Sequence, residues 1–259
     1  MLLSGCIAGV MAGLLGVGGG IVIVPVMEVA LSMTGVDPAI RMHIAVATSL
    51  AVIIPTSVSS SLAHHRRGAV DLDLIRRWAP FVLLGAIAGT VVAAQVHSRV
   101  LAAIFAIFAF LIGLKMVLRP NDEALRDEIP RNPAMPVIPG LIGFFSSMMG
   151  IGGGTFSVMI MTLFGKPIHK AVGTAALFGL FIALPGTLGF IVGGWSNPDL
   201  PPLSLGYVSM VGFALIAPTT VLAAPLGAKM AHGLSRQKLN VIFGVFLLVA
   251  AARMASRAL

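Results

Sequence analysis

The sequence predicts an all-α, polytopic transmembrane bundle built from two homologous repeats of four hydrophobic segments each. Three observations lead to this prediction. Hydrophobic residues make up 58% of the 259-residue chain, charged residues only 10%, and the mean hydropathy is +1.02. Eight stretches of the chain contain no Asp, Glu, Lys or Arg. Motifs in the first four stretches recur in the same order in the last four.

The composition excludes a soluble globular protein, because soluble domains carry about 25% charged residues. The apolar excess must face lipid instead. A helical span needs about 20 apolar residues to cross a hydrocarbon core of roughly 30 Å, and the chain has room for eight such segments joined by short loops. The charge-free stretches are residues 1–27, 42–65, 78–98, 100–114, 132–165, 171–198, 200–228 and 239–252.

The net charge of +8 does not indicate nucleic-acid binding. The Lys and Arg residues lie between the apolar stretches, where they orient a membrane protein, and they are not interleaved with aromatic residues. The single cysteine, Cys6, has no partner for a disulfide or a metal site. We therefore expect no metal and no cofactor.

Repetition along the chain defines the predicted domains. Gly16–Gly20 (GVGGG) recurs as Gly150–Gly154 (GIGGG), and His43–Thr48 (HIAVAT) recurs as His169–Thr174 (HKAVGT). A charged stretch with flanking prolines lies between the two copies. We expect a first repeat over residues 1–118, a linker over 119–134 and a second repeat over 135–259.

The glycine clusters decide how the two repeats are oriented. Glycine costs about 1 kcal/mol in a helix interior relative to alanine, so a run of three predicts a break in segments one and five. If both segments cross fully, the 17 Lys and Arg residues divide 10 against 7 between the two sides. If both segments turn back, they divide 13 against 4. The positive-inside rule favours the second topology, with inverted repeats and both termini periplasmic.

The two breaks are the predicted binding site. Non-helical backbone at membrane depth is tolerated only where it is buried in protein or lines a wet cavity, and paired broken segments are typical of transporters. Each break exposes the amide-rich start of a new helix, which attracts anions, and hydroxyl groups can complete the shell. The predicted substrate-binding residues are Gly16, Gly18, Gly19, Gly20, Thr48, Ser49, Ser147, Gly150, Gly152, Gly153, Gly154, Thr155 and Thr174.

Other glycines and polar residues have different predicted roles. The spaced glycines Gly5, Gly9 and Gly13, and Gly85 with Gly89, are typical of close helix packing. An intramembrane acid is a functional candidate by default, and histidine titrates near neutral pH, while a proline within a span can form a kink or a hinge. The candidates for gating or proton transfer are Glu28, His43, Pro55, His169, Lys170 and Pro185.

The motifs resemble those of the TauE/SafE family. The residues that carry the resemblance are Gly13–Gly20 (GLLGVGGG), Ser146–Gly154 (SSMMGIGGG) and His43–Thr48. The resemblance covers essentially the whole chain, although Phe144–Met149 departs from the small aliphatic residues that precede the glycines in the first copy. It implies a permease of the bacterial inner membrane that exports sulfite, sulfoacetate or a related sulfur-containing anion.

Two functional hypotheses remain open from the sequence. The first is an exporter of a small anion, which gains about 2.3 kcal/mol per charge per 100 mV on leaving a negative interior. The alternative is a proton- or sodium-coupled importer, or a channel, for another small anion. A membrane enzyme is disfavoured because the His and acidic residues do not cluster. A homodimer is a further expectation.

Overall fold

A computed structural model describes residues 2–15, 19–118, 136–230 and 236–258, and nearly all of these residues are helical. The linker predicted at 119–134 lies outside the described residues, so the domain boundary stays a prediction. The elements in chain order are α1 (Leu2–Leu15), α2 (Gly20–Met33), α3 (Pro38–His65), α4 (Leu72–Gln95), α5 (Ser98–Leu118), α6 (Val137–Met149), α7 (Gly154–Leu163), α8 (Ile168–Gly194), β1 (Ser204–Leu205), β2 (Val208–Ser209), α9 (Met210–Met230) and α10 (Arg236–Ala258).

Five of the described helices, α3, α4, α5, α8 and α9, are long and apolar enough to cross a membrane. At 1.5 Å per residue, the 28 residues of α3 extend over about 42 Å, more than a hydrocarbon core of about 30 Å. The prediction of an all-α membrane protein is confirmed. Many large apolar side chains on α4, α5 and α9 are exposed, as lipid-facing residues are.

Segments one and five are each divided into two short helices, as the glycine clusters predict. Helix α1 ends at Leu15 and α2 begins at Gly20, and α6 ends at Met149 before α7 begins at Gly154. These helices contain 10 to 14 residues. Each therefore measures only about 15–21 Å, which is too short to cross a bilayer alone.

Each broken segment packs on a helix from the other half of the sequence. Helix α1 packs on α9, α6 packs on α4, and the long helices α3 and α8 pack together in the interior. Close approach depends on small residues. A Cβ atom at Gly5 or Gly9 would overlap α9, and one at Gly85 or Gly89 would overlap α6. Packing is thus the role that the structure gives these four glycines, as predicted.

Polar contacts place the helix ends in two groups. Glu28 in α2 and Arg41 in α3 lie beside Arg257 near the end of α10. Asp71, just before α4, contacts Lys166, just before α8. The α2–α3 connection therefore lies with the end of α10, whereas the α7–α8 connection lies with the start of α4.

The short hairpin of β1 and β2 precedes α9 and was not predicted from the sequence. Ser204 pairs with Ser209, and Leu205 pairs with Val208. The amide of Tyr207 donates to the carbonyl of Phe190 at 3.3 Å, which anchors the hairpin to the last turns of α8. The Tyr207 side chain is buried and stacks on the ring of His43 in α3.

Candidate functional site

The second break is a tight, buried turn between α6 and α7. Gly150 and Gly153 have φ angles of +67° and +71°, a left-handed conformation that favours glycine. The first amide of α7 that bonds along its own helix is that of Ser157, which donates to the Gly153 carbonyl at 2.9 Å. No side chain caps the helix at Gly153. The amides of Gly154, Thr155 and Phe156 therefore precede the first intrahelical bond.

The first break has a similar outline. Gly19 has a φ angle of +75° and precedes α2 without a side-chain cap. The amides of Val22 and Ile23 both donate to the Gly19 carbonyl, at 3.0 and 3.1 Å. Two other residues predicted for this site, Gly16 and Gly18, lie outside the described residues. Gly20 is buried at the start of α2.

The two breaks lie directly against each other. A Cβ atom at Gly20 would overlap the carbonyl oxygen of Gly150, so only glycine permits this approach. Ser49 of α3 donates to the same carbonyl at 2.7 Å. The side chain of Ile53, one turn further along α3, lies beside both Gly20 and Gly152. The predicted residues Gly20, Ser49, Gly150 and Gly152 are therefore brought together.

Thr48 and Thr174 are fully buried, but their observed bonds lead away from the breaks. The Thr48 hydroxyl accepts from the amide of Ser209, which precedes α9, at 2.9 Å. The Thr174 hydroxyl accepts from the amide of Asp71, which precedes α4, also at 2.9 Å. These two matched threonines hold the chain at the starts of α9 and α4.

Hydroxyl groups around the second break fall into two kinds. Ser147 donates to the Phe144 carbonyl of its own helix at 2.9 Å, as serine commonly does in membrane helices. Thr155 is buried and its hydroxyl has no partner. Ser146 and Ser157 are completely buried and are also unpartnered.

Glu28 lies among three arginines. Its side chain is only 2% exposed, and its oxygens lie 3.4 Å from Arg41 Nη1, 3.3 Å from Arg257 Nε and 3.9 Å from Arg253 Nε. Arg41 also donates twice to the carbonyl of Val36. This cluster ties the far end of α2 to α3 and α10.

The two matched histidines have different surroundings. His43 is buried, its Nε2 lies 3.0 Å from the Val96 carbonyl, and its ring stacks on Tyr207 with 5.0 Å between centroids. His169 and Lys170 lie in the exposed first turn of α8. The contacts of His43 with Val96 and Tyr207 do not involve the residues of the two breaks.

Pro55 and Pro185 occupy the interiors of α3 and α8. Both helices continue through the proline, from Pro38 to His65 and from Ile168 to Gly194. Each proline removes one amide donor from its helix. A hinge at either position stays a prediction.

Comparison with known proteins decides the family. The family model described as "Sulfite exporter TauE/SafE" matches residues 1–254. The chain belongs to the TauE/SafE family. A Haemophilus influenzae protein named "Probable membrane transporter protein" is 35% identical over 98% of this chain and 96% of its own length. The Bacillus subtilis protein named "Probable membrane transporter protein YunE" is 30% identical over 76% of this chain and 79% of its own length. No solved structure matches.

Membership in the TauE/SafE family, together with five apolar helices of spanning length among the described residues, makes this chain a multi-pass membrane transporter. Two groups of polar side chains in this TauE/SafE protein were also missed from the sequence. The first is the arginine cluster around Glu28, whose members are distant in sequence. The second is Ser57, whose buried hydroxyl lies beside Gly179 and has no hydrogen-bond partner. The repeated glycine motif predicts where the helices break, but it does not predict which residues pack against the breaks.

The ion pair of Asp71 and Lys166 connects the two halves of the TauE/SafE protein outside its spans. Lys166 Nζ lies 2.7 Å from Asp71 Oδ2, and the Leu74 amide donates to Asp71 Oδ1 at 3.0 Å. Burial by itself raises the pKa of Asp71. The hydrogen bonds from Lys166 and Leu74 and the charges of Lys166 and Lys170 outweigh burial, so its pKa lies below the ordinary value of 3.8.

Replacing Asp71 by Asn should test this pair. Asparagine also caps helices, so the variant retains a cap on α4 and loses the charge. We expect it to lower the free energy of unfolding by about 1 kcal/mol at pH 7, since the pair is partly exposed. A lowered carboxyl pKa contributes stability above the unfolded pKa and loses it as the pH falls through the folded pKa. The difference from wild type should therefore shrink below about pH 4, measured by thermal unfolding in detergent. An equal difference at pH 7 and pH 3 contradicts the assignment.

Proposed function

We propose that this transporter exports a small sulfur-containing anion, such as sulfite or an organosulfonate, and binds it at the glycine breaks between two inverted repeats. The observation that carries the proposal is the start of α7, where uncapped amides meet buried hydroxyls without partners. Such a helix end carries roughly half a positive charge and offers free donors. A bound anion would balance this partial charge and accept hydrogen bonds from the free donors, so that no buried cation is required.

The ends of the helices support inverted repeats. The α2–α3 connection lies beside Arg253 and Arg257, and the matching α7–α8 connection lies beside Asp71. The α2–α3 end holds Arg41, Arg253 and Arg257, which are three of the four basic residues on the less basic side in the re-entrant topology. Lys166 is one of the 13 basic residues on the other side. The positive-inside rule then makes the Lys166 side cytoplasmic and places both termini in the periplasm.

The family description supports the sulfur-containing substrate and the outward direction. The physical setting agrees with export. An anion that leaves a cell with a negative interior gains about 2.3 kcal/mol per charge per 100 mV. The breaks lie in stretches without Lys, Arg, Asp or Glu, so neither offers a carboxylate for sodium or a proton.

The experiment that tests the proposal is a thermal-shift screen of the purified full-length protein. The panel contains sulfite, sulfoacetate, taurine, sulfate and acetate. A ligand present at 100 times its dissociation constant adds about 2.7 kcal/mol to stability. We expect a rise in the midpoint temperature with sulfite or a sulfonate and none with acetate. If no sulfur-containing anion stabilises the protein, the proposal is wrong.

Transport in proteoliposomes then separates export from the coupled alternative. We expect exchange of the stabilising anion across the membrane that does not depend on a pH or sodium gradient. Uptake that requires either gradient would favour the importer. Current without saturation would favour a channel.

A further inference from the structure

Several of the buried hydroxyls without a partner lie at the second break. Ser146 and Ser157, in α6 and α7, have no exposed surface and no hydrogen-bond partner. A Cβ atom at Gly153 would lie 3.6 Å from Ser146 Oγ. Ser57 of α3 is also buried and unpartnered, and it contacts Gly179, whose other neighbour is the Gly152 carbonyl. Hydroxyl groups from α3, α6 and α7 thus lie near the same turn.

These hydroxyls do not use the acceptors that helices normally provide. Ser147 and Thr162, in the same two helices, donate to carbonyls three or four residues earlier. Ser146 and Ser157 make no such bond. A buried hydroxyl without a partner is unfavourable, so two of them next to an uncapped helix start are candidates to donate to a bound anion.

The corresponding positions of the first break carry no hydroxyl. The glycine alignment matches Thr155 with Ile21 and Ser157 with Ile23, and both isoleucines are fully buried. The alignment of His43 with His169 matches Ser49 with Ala175 and Ser57 with Ala183. At these matched positions the first break and α8 carry Ile or Ala, whereas the second break and α3 carry hydroxyls.

The described helices that form the second break carry no Lys, Arg, Asp or Glu next to it. The stretches 42–65, 132–165 and 171–198, which contain α6, α7 and the parts of α3 and α8 that reach the breaks, have no Lys, Arg, Asp or Glu. Hydroxyls, amides and a helix end must then replace the water around a bound anion. The cost of desolvation rises with the square of the charge, so a divalent anion costs about four times as much as a monovalent one of equal size.

We propose that the anion is singly charged and is held off centre, with its oxygens on Ser146, Ser157 and the start of α7. The first break then contributes close packing and no side-chain hydrogen bond. This inference rests on the proposed function and narrows it. Monosulfonates fit, whereas sulfoacetate, with two charges, fits less well.

The test compares two probes and three variants of the full-length protein. The probes are ethanesulfonate, with one charge, and 1,2-ethanedisulfonate, with two. Ser146→Ala and Ser157→Ala remove the unpartnered hydroxyls. Thr56→Val is the matched control, because the Thr56 hydroxyl is equally buried but donates to the Val52 carbonyl of its own helix. Calorimetry gives affinity, and thermal unfolding without ligand gives stability.

We expect wild type and Thr56→Val to bind ethanesulfonate at least about tenfold more tightly than ethanedisulfonate. Each serine variant should bind ethanesulfonate about tenfold more weakly than wild type. Its midpoint temperature without ligand should equal or exceed that of wild type, because an unpaired buried group has been removed. A merely structural serine would instead lower that temperature.

Two results overturn the inference and leave the proposed function intact. One is tighter binding of ethanedisulfonate than of ethanesulfonate. The other is unchanged ethanesulfonate binding in both serine variants. Failure of every sulfonate and of sulfite to bind wild type, by contrast, removes the proposed function itself.

Discussion

Replacement of Gly20 by Val should abolish transport and strongly destabilise the protein. The first added carbon would overlap the carbonyl oxygen of Gly150 and lie 2.8 Å from Ile53 Cδ1 and 3.0 Å from Ser49 Oγ. The side chain of Ile53 can move, but the backbone of Gly150 is fixed by its own turn and by Ser49. Overpacking of a core typically costs about 1–3 kcal/mol, and a clash with backbone should reach or exceed the upper value.

The measurements are the yield of monodisperse protein, the midpoint of thermal unfolding and anion exchange in proteoliposomes. Gly140→Ala is the matched control, because the nearest atom to its added carbon is the Phe81 carbonyl oxygen at 3.9 Å, an ordinary contact. We expect the control to behave as wild type. Normal folding and transport by Gly20→Val would mean that the two breaks need not touch.

Replacement of Glu28 by Ala should also have a large effect. It would leave Arg41, with a side chain only 10% exposed, facing Arg253 and Arg257 without a counter-charge. Breaking a buried ion pair from one side costs about 3–5 kcal/mol, because the remaining charge is uncompensated. Arg257→Ala should cost about 1 kcal/mol or less, since this side chain is 41% exposed.

A second variant distinguishes the effect of losing the charge pair from the effect of losing side-chain volume. Replacing both Glu28 and Arg41 by Met removes the buried pair and fills similar volume, which is often neutral or stabilising. We expect the double variant to unfold at a higher temperature than Glu28→Ala. Equal unfolding temperatures for wild type and Glu28→Ala would show that the cluster contributes nothing to stability.

The breaks were predictable because consecutive glycines are a local signal. Three in a row disfavour a helix whatever surrounds them, and both breaks lie where Gly16–Gly20 and Gly150–Gly154 place them. The apolar stretches likewise predicted the long helices, although these helices extend past the charge-free residues and include charged ones, such as Lys115 in α5 and Arg253 in α10.

The polar contacts were not predictable because they depend on packing between residues that are distant in the sequence. Glu28 meets Arg253 and Arg257 only because α10 packs next to α2, and no local pattern encodes that approach. Thr48 and Thr174 have the right chemistry and matched positions for a ligand, yet they bond to the starts of α9 and α4. Ser146 and Ser157 resemble many serines of membrane helices, and only the structure distinguishes those that bond to their own helix from those that do not.

The exchange of packing partners between the halves has a consequence for movement. Because α1 packs on α9 and α6 packs on α4, the two halves of the sequence cannot separate as independent bodies without breaking both contacts. We therefore expect any alternation between inward and outward access to move groups of helices that combine both halves, rather than one half against the other.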